Sequence, residues 1–469
     1  MQNKTLTVAA SAAVFFCLIG LSSKVFAADG QQKNEMLSLT RVEPSVTPYS
    51  DYSGDFLNRA TITGDWGGLR TDLYEKGITL DAVLTQVYQN VVSGGPDSSG
   101  NDSTYTGLVD YGMSFDTGKL GMWPGGLFTV NAQTSFANNF PLDSGNLSPT
   151  NFTGYYPNPT ADKPDTVVME YHWTQALSKE LGFVLGRLNA TNFLDRNRYA
   201  NNPRNQFMNI SMNNSPLLGS MVSFSTYALL VSWKVNDHLA INPAIYDPNV
   251  QPGEGSPDGG LFNDVGLGVE IDLNWTLSGD RDGAVRVDLL WNNKETVLLD
   301  NPRLPIDLIL GVPPKTKSDN WLVNINFGQS IWKPDGAKPK KGPHQQLPQV
   351  RTAAFDLAEP GLGVFGRVAF GPEDRHAYNV YAMGGLGGRG LVPGRPYDRL
   401  GAGFYWLKES DDLDDQPGDL LDDETGIEVF YNVALTPAVQ LTFDAQWIDT
   451  GIKANDNATV LGMRLMTVF

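Results

Sequence analysis

The sequence predicts an all-β fold: a transmembrane antiparallel β-barrel of about 16 strands with a short N-terminal helix. Three observations predict it. Apolar and polar residues alternate with period two through most of the chain. The final stretch, Val460 to Phe469, reads as one strand that closes on an aromatic residue. A secretory leader opens the chain, yet no later window holds the ~18 consecutive apolar residues that a membrane-crossing helix needs.

The leader comes first. Lys4 supplies a positive start, Val8 to Leu21 is nearly all apolar, and Val25-Phe26-Ala27 offers a small-residue cleavage pattern. Residues 1–27 are therefore read as a signal peptide. Its removal deletes two lysines and no acid, taking the formal charge from −18 to −20. The sole cysteine, Cys17, lies in the leader, so no disulfide or thiolate metal site is expected afterwards. An acidic chain excludes nucleic acid as a partner, since phosphate contacts need clustered Lys and Arg. It suits a surface facing lipopolysaccharide through divalent cations. With spanning helices excluded, the backbone satisfies itself in lipid only as a closed barrel.

Residues 28–60 are polar, with scattered Pro and Ser, and are read as an irregular segment before a barrel unit over 61–469. A short helix is expected over 65–77. Asp65 can cap its start and Gly77 end it, and Trp66, Leu69 and Leu73 recur as an apolar stripe expected to pack on a wall.

From Ile78 the period changes to two. Val265, Leu267, Val269, Ile271, Leu273 and Trp275 oppose Gly266, Gly268, Glu270, Asp272 and Asn274. Val285, Val287, Leu289 and Trp291 oppose Arg286, Asp288 and Asn292; Val439, Leu441, Phe443, Ala445 and Trp447 oppose Gln440, Thr442, Asp444 and Gln446. In the final strand Leu461, Met463, Leu465, Thr467 and Phe469 oppose Gly462 and Arg464. Apolar faces ending in Trp or Tyr are what lipid outside, water inside and an aromatic girdle demand. The alternation alone also fits a soluble β-sandwich, which would bury one such face. Asn90–Tyr105, Pro141–Pro164 and Lys333–Pro360 are expected as long loops, alternating with short turns such as Ser278-Gly279-Asp280. About 390 residues follow the helix. At roughly 24 residues per strand and connection this gives ~16 strands, a size that leaves a water-filled lumen.

Particular residues then carry a resemblance. Gly64-Asp65-Trp66-Gly67-Gly68-Leu69-Arg70 with Glu75-Lys76-Gly77-Ile78 resembles the opening motif of the carbohydrate-selective porins of the OprB family. Gly186-Arg187-Leu188-Asn189, Asn192-Phe193-Leu194-Asp195, Tyr199-Ala200-Asn201-Asn202 and Gln206-Phe207-Met208-Asn209 are similar to its next block. Gly390-Leu391-Val392-Pro393-Gly394-Arg395-Pro396, Asp398 and Gly401-Ala402-Gly403-Phe404 resemble a third. Glu428 to Asn432, Leu435-Thr436-Pro437, Leu441-Thr442, Asp444 and Gln446-Trp447-Ile448 resemble the last. Met169–Trp173 and the stretch near Lys333–Pro348 match none of its blocks. The resemblance implies a sixteen-stranded outer-membrane channel of a Gram-negative bacterium. It implies passive diffusion of sugars, glucose above all, past a weak binding site at a narrow waist.

A sugar channel needs mixed donors and acceptors, binding that is favourable on entry and weak enough to release. Inward-facing candidates are Glu270, Asp272, Arg286, Asp288, Arg367, Asp444 and Arg464. Arg187 and Asn189 join them if Val184 and Leu188 face lipid. For any one candidate a lumen ion pair that stiffens the wall is the preferred reading, since lumen positions are polar whether or not they touch solute; as a set, Arg plus carboxylate is what a sugar-binding waist would use. Arg196, Arg198 and Arg204 form a basic cluster that is either a pore-folded loop or a solvated one; Arg389, Arg395 and Arg399 pose the same choice.

Gly385-Leu386-Gly387-Gly388-Arg389-Gly390 has the spacing of a dinucleotide motif, but Pro393 and Pro396 forbid the helix such a site requires, so a flexible strand end and turn is expected. Glu409 to Glu424 carries nine acids in sixteen positions without EF-hand spacing and reads as an exposed loop. His172, His238, His344 and His376 share no ligand spacing, and no serine sits in a nucleophile elbow. No metal, cofactor or chemical step is expected. The expected partners are permeating sugars, outer-membrane lipid, lipopolysaccharide, the barrel assembly machinery and, as an option, further copies of the chain. A secreted soluble all-β carbohydrate-active enzyme or lectin is the alternative.

Overall fold

A computed structural model describes residues 52, 54–96, 102–136, 144–155, 165–250, 252, 260–300, 311–334, 360–414 and 420–469. The signal peptide, most of the irregular segment and part of the acidic loop lie outside these.

The alternating segments become sixteen strands of one closed barrel. They are β1 (Ile78–Gly95), β2 (Ser103–Asp116), β3 (Gly126–Phe136), β4 (Asp165–Ala176), β5 (Leu181–Leu188), β6 (Thr226–Lys234), β7 (Leu239–Tyr246), β8 (Gly266–Leu277) and β9 (Arg281–Asn292). After a two-residue pair, β10 (Thr296–Val297) and β11 (Thr316–Lys317), the wall resumes with β12 (Asn320–Trp332), β13 (Gly361–Phe370) and β14 (Tyr378–Arg389). It ends with β15 (Arg399–Glu409), β16 (Glu424–Thr436), β17 (Val439–Asp449) and β18 (Asp456–Val468). All wall neighbours are antiparallel, and β18 pairs with β1 to close the cylinder, Val83 opposite Val468 and Val87 opposite Arg464.

The outward faces are the apolar ones. Leu461 and Met463 are 48% and 47% exposed, whereas Arg464, the next residue of β18, is wholly buried. Trp321 and Trp447 lie outward near one end, Trp233 and Trp332 near the other, as aromatic girdles require. A soluble sandwich would bury these faces; the barrel presents them to hydrocarbon.

Two loop expectations are corrected. Asn90–Gly95 and Ser103–Tyr105 belong to strands, so that connection shrinks to 96–102. The connection 333–360 joins β12 to β13 at the end of the short turns, not among the long loops. Its own length says nothing about which end it serves; counting strands does. The long connections 137–164, 189–225, 247–265, 293–319 and 410–423 share the opposite end.

The helix is real but shorter: a 3-10 turn Trp66–Gly68 runs into an α-helix Leu69–Glu75, ended by Gly77 at φ 93. Asp65 Oδ1 accepts from Thr71 N at 2.8 Å. Its expected apolar contact is not what holds it, because Trp66 and Leu69 are exposed. Arg70 holds it instead. That side chain is buried and donates to the main-chain oxygens of Phe469 (2.9 Å) and Leu80 (2.7 Å), beside the Asp81 carboxylate at 3.3 Å. The rings of Tyr52 and Trp66 flank its guanidinium at 4.2 and 4.9 Å.

The interior is occupied by the chain itself. Residues 189–225, between β5 and β6, fold into the barrel, and their Phe193, Phe207, Met212, Leu217 and Met221 join inward wall residues in one buried cluster. Three inward glycines make room. A Cβ on Gly363 would overlap the Tyr199 ring, one on Gly403 the Met212 side chain, and one on Gly401 would sit 2.9 Å from Phe207. The glycine run of β14 serves the same seat: a Cβ on Gly387 would stand 3.0 Å from Tyr199. That run is the last part of β14, which ends at Arg389, and Gly390 at φ 65 opens the turn, so the expected strand end and turn is what the chain forms.

Candidate pore and its constriction loop

The inward loop is fastened to the wall by buried charges. Asn189, just after β5, accepts from Thr191 N at 3.1 Å and caps the 3-10 turn Ala190–Asn192. The chain then reaches Asp195, in the left-handed region at φ 54 and wholly buried. Its carboxylate takes Arg367 Nε at 2.7 Å, Asn326 Nδ2 at 2.8 Å and Ser215 N at 2.8 Å. Arg367 also donates to Ala200 O (2.6 Å) and Met212 O (3.3 Å). One wall arginine thus grips three points of the loop. Burial of such a pair is tolerable only because both partners are hydrogen-bonded all round.

Next door, Arg196 reaches Glu270 at 2.6 Å and Asp272 at 3.2 Å. Arg286 Nε lies 2.9 Å from Asp272, and its Nη1 donates to Arg196 O at 2.7 Å. Asp288 accepts from Asn324 at 2.7 Å. Across the barrel Arg204 meets Asp110, Nε to Oδ2 at 2.7 Å, and Gln133 donates to the same carboxylate. Arg464 donates to the carbonyls of Pro203 (2.7 Å) and Gln206 (2.6 Å). Glu428 accepts from the N–H groups of Met208 and Asn209, and Asp444 accepts from Gln446 at 2.9 Å.

The sequence candidates therefore divide. Glu270, Asp272, Arg286, Asp288 and Arg367 form one continuous inward network on β8, β9 and β13, and Asp444 and Arg464 sit inward on β17 and β18. Arg187 does not join either group. Val184 and Leu188 are buried toward the loop while Leu185 is 47% exposed, so the condition placed on β5 fails. Gly186, at φ +141, precedes Arg187, whose Nε donates to Ser225 Oγ at 2.6 Å. Asn189 is a turn cap. Of the basic cluster, Arg196 and Arg204 are folded inside and committed to carboxylates, and Arg198 is half-buried. Arg389 and Arg399 end and begin strands at the turn end, bordering a small cavity with Arg198 and Lys333. Arg395 pairs with Asp398 at 2.8 Å in the turn itself.

Sequence reasoning missed Asp110, Glu170, Asp195 and Glu428. Asp110 and Glu428 were findable from parity, sharing inward faces with Thr106 and Asn432. Asp195 was not, since its partner lies 172 residues away.

Two spaces flank the loop's first turn. A vestibule of about 460 Å³ opens at the long-loop end, bounded by Leu194, Pro216 to Phe224, Lys294 and Arg375 to Tyr378. A smaller polar cavity of about 30 Å³ lies within the barrel, among Asp110, Asn131, Gln133, Glu170, Asn192 and Arg204. At the vestibule wall His376 receives Ser220 Oγ at 3.1 Å from Nδ1 and places Nε2 2.9 Å from Asn320. Burial, aided by Arg375, pushes its pKa down to about 4, so the ring is neutral at pH 7.

Solved structures share this architecture. Pseudomonas putida OprB in its high-pH structure superposes with a TM-score of 0.74 at 18% identity, covering 89% of this chain and 100% of that one. Its low-pH structure gives 0.52 at 16% identity, covering 88% and 99%. None of the curated proteins matches the chain. The family model described as carbohydrate-selective porin, OprB family, matches residues 100–469. That match spans most of the barrel and its constriction loop: the chain belongs to the OprB family of carbohydrate-selective porins of the outer membrane.

Proposed function

We propose that glucose-like sugars diffuse through this barrel past the polar cavity beside the constriction loop. The observation that supports it is the buried charge network: it holds 189–225 inside the lumen, beside a polar cavity where Asp110, Asn131, Gln133, Glu170, Asn192 and Arg204 offer donors and acceptors together. A neutral polyol exchanges water hydrogen bonds for such groups with little net gain, which keeps binding weak and release fast. In this reading Glu270, Asp272, Arg286, Asp288, Arg367, Asp444 and Arg464 set the bore by positioning the loop rather than by touching solute. Transport is passive, with no chemical step and no cofactor. The outward apolar band meets lipid and lipopolysaccharide. The barrel assembly machinery inserts the chain, and copies associate through part of that band. Single-channel recording tests the central point. Millimolar glucose is expected to reduce ion current in a saturable way and to enter proteoliposomes. If no saccharide reduces current or swells liposomes, the sugar assignment fails.

A further inference from the structure

The vestibule is the wrong chemistry for a sugar alone. Leu194, Leu217, Leu218, Met221, Val222 and Phe224 make much of its lining apolar, with Thr191, Asn214, Ser215, Ser220 and Ser223 among them. Bare sugars gain little over the apolar part, because hydroxyls there would lose water without replacement. An apolar ring gains by burial there. Cation charge does not dominate the space either. Lys294 donates to Pro248 O at 3.3 Å, Arg375 lies 3.0 Å from Asp374, and the neighbouring His376 is neutral.

The vestibule is also continuous in its walls with the polar cavity. Thr191 lines both spaces. Phe224 of the vestibule meets Phe152 of the polar cavity edge-on, ring centroids 5.8 Å apart. An apolar compartment and a hydroxyl-matching compartment thus share one short turn, Ala190–Asn192, as their partition. The polar cavity, at about 30 Å³, is the size of a water rather than of a sugar, so a solute that is itself half apolar and half sugar would set its apolar ring in the vestibule and turn only its hydroxyls toward that polar edge.

We infer that the vestibule is a binding site for the apolar aglycone of a glycoside, such as an aryl β-glucoside, held with its sugar toward the polar cavity. The inference rests on the sugar reading above and narrows it to a substrate class. An aryl group gives tighter entry-side capture while leaving the sugar contacts unchanged.

The experiment compares block of single-channel current by glucose, phenyl β-glucoside and phenol, with the full-length protein in planar bilayers. Phenyl β-glucoside is expected to half-block at a concentration about ten-fold below glucose, the scale of burying part of one ring. Phenol is expected to block no better than glucose. In Val222→Ser and, separately, Leu194→Asn the aryl advantage should fall to about two-fold while glucose block stays as in the wild type. Glucose block with no gain from the phenyl group overturns this inference alone. So does an aryl advantage that both variants leave intact, or block by phenol equal to that by phenyl β-glucoside. Absence of block by either sugar overturns the sugar reading and this inference with it.

Discussion

Two walls hold the constriction loop, and they do so by opposite means. On β8, β9, β12 and β13 the wall presents charge and amide: Glu270, Asp272, Arg286, Asn324, Asn326 and Arg367 bind Asp195 and Arg196 through directed bonds. On β13 to β15 the wall presents absence: Gly363, Gly387, Gly401 and Gly403 leave hollows that Tyr199, Phe207 and Met212 fill. The ionic wall specifies position by geometry and fails abruptly, because each half of a buried pair is costly alone. The glycine wall specifies position by shape and fails by degrees.

The sharpest way to break the ionic side is Arg367→Ala. It strands the Asp195 carboxylate in a site with no exposure, a cost of about 3–5 kcal/mol. The loop is expected to detach, raising single-channel conductance several-fold and lowering the temperature at which the folded band is lost on gels. An unchanged conductance would show that Arg367 does not position the loop. A milder break is Gly363→Leu on the shape side. Overpacking against Tyr199 costs about 1–3 kcal/mol and should shift conductance modestly, with noisier open current, while the gel transition stays near that of the wild type. If Gly363→Leu matched Arg367→Ala in effect, the contrast between the walls would be wrong.

The smallest effect belongs to pH at the vestibule. His376 bonded to Ser220 and Asn320 ties the Leu218–Met221 helix to the wall. Its pKa in place is about 4, against 6.5 when exposed. Above pH 6.5 both states are neutral and the contact is intact. As pH falls from 6.5 to 4 the detached ring takes a proton that the held ring refuses, so the contact weakens; below 4 no further loss occurs. The ceiling is about 3 kcal/mol, and a ring bordering an open vestibule gives closer to 1. Current flicker should rise through that window, and His376→Gln should flatten the dependence. A wild-type trace without change from pH 7 to 4 would discount the tie.

Legibility in the sequence followed the physics of each face. Where a strand has lipid on one side and polar interior on the other, as in β8, β9, β17 and β18, parity read the inward charges correctly. Parity failed on β5, which is apolar on both faces because its inner side packs against the loop through Val184 and Leu188. The helix misled for a related reason. Its stripe of Trp66 and Leu69 looked like a packing face, yet Arg70 makes the buried contacts, and only the chain path brings Leu80, Asp81 and Phe469 to it. The basic cluster posed a choice between loop positions that no local pattern settles; the carboxylates that draw Arg196 and Arg204 inward lie 74 and 94 residues distant.

Rolling a ribbon into a tube leaves one seam, and here it runs between β1 and β18. Arg70 straddles it, one hand on the oxygen of Leu80 and one on that of Phe469. A residue upstream of the first strand therefore inspects the arrival of the last. Until both have been delivered the tube has a raw edge, so the fastening acts late and reports on completion of the whole circumference.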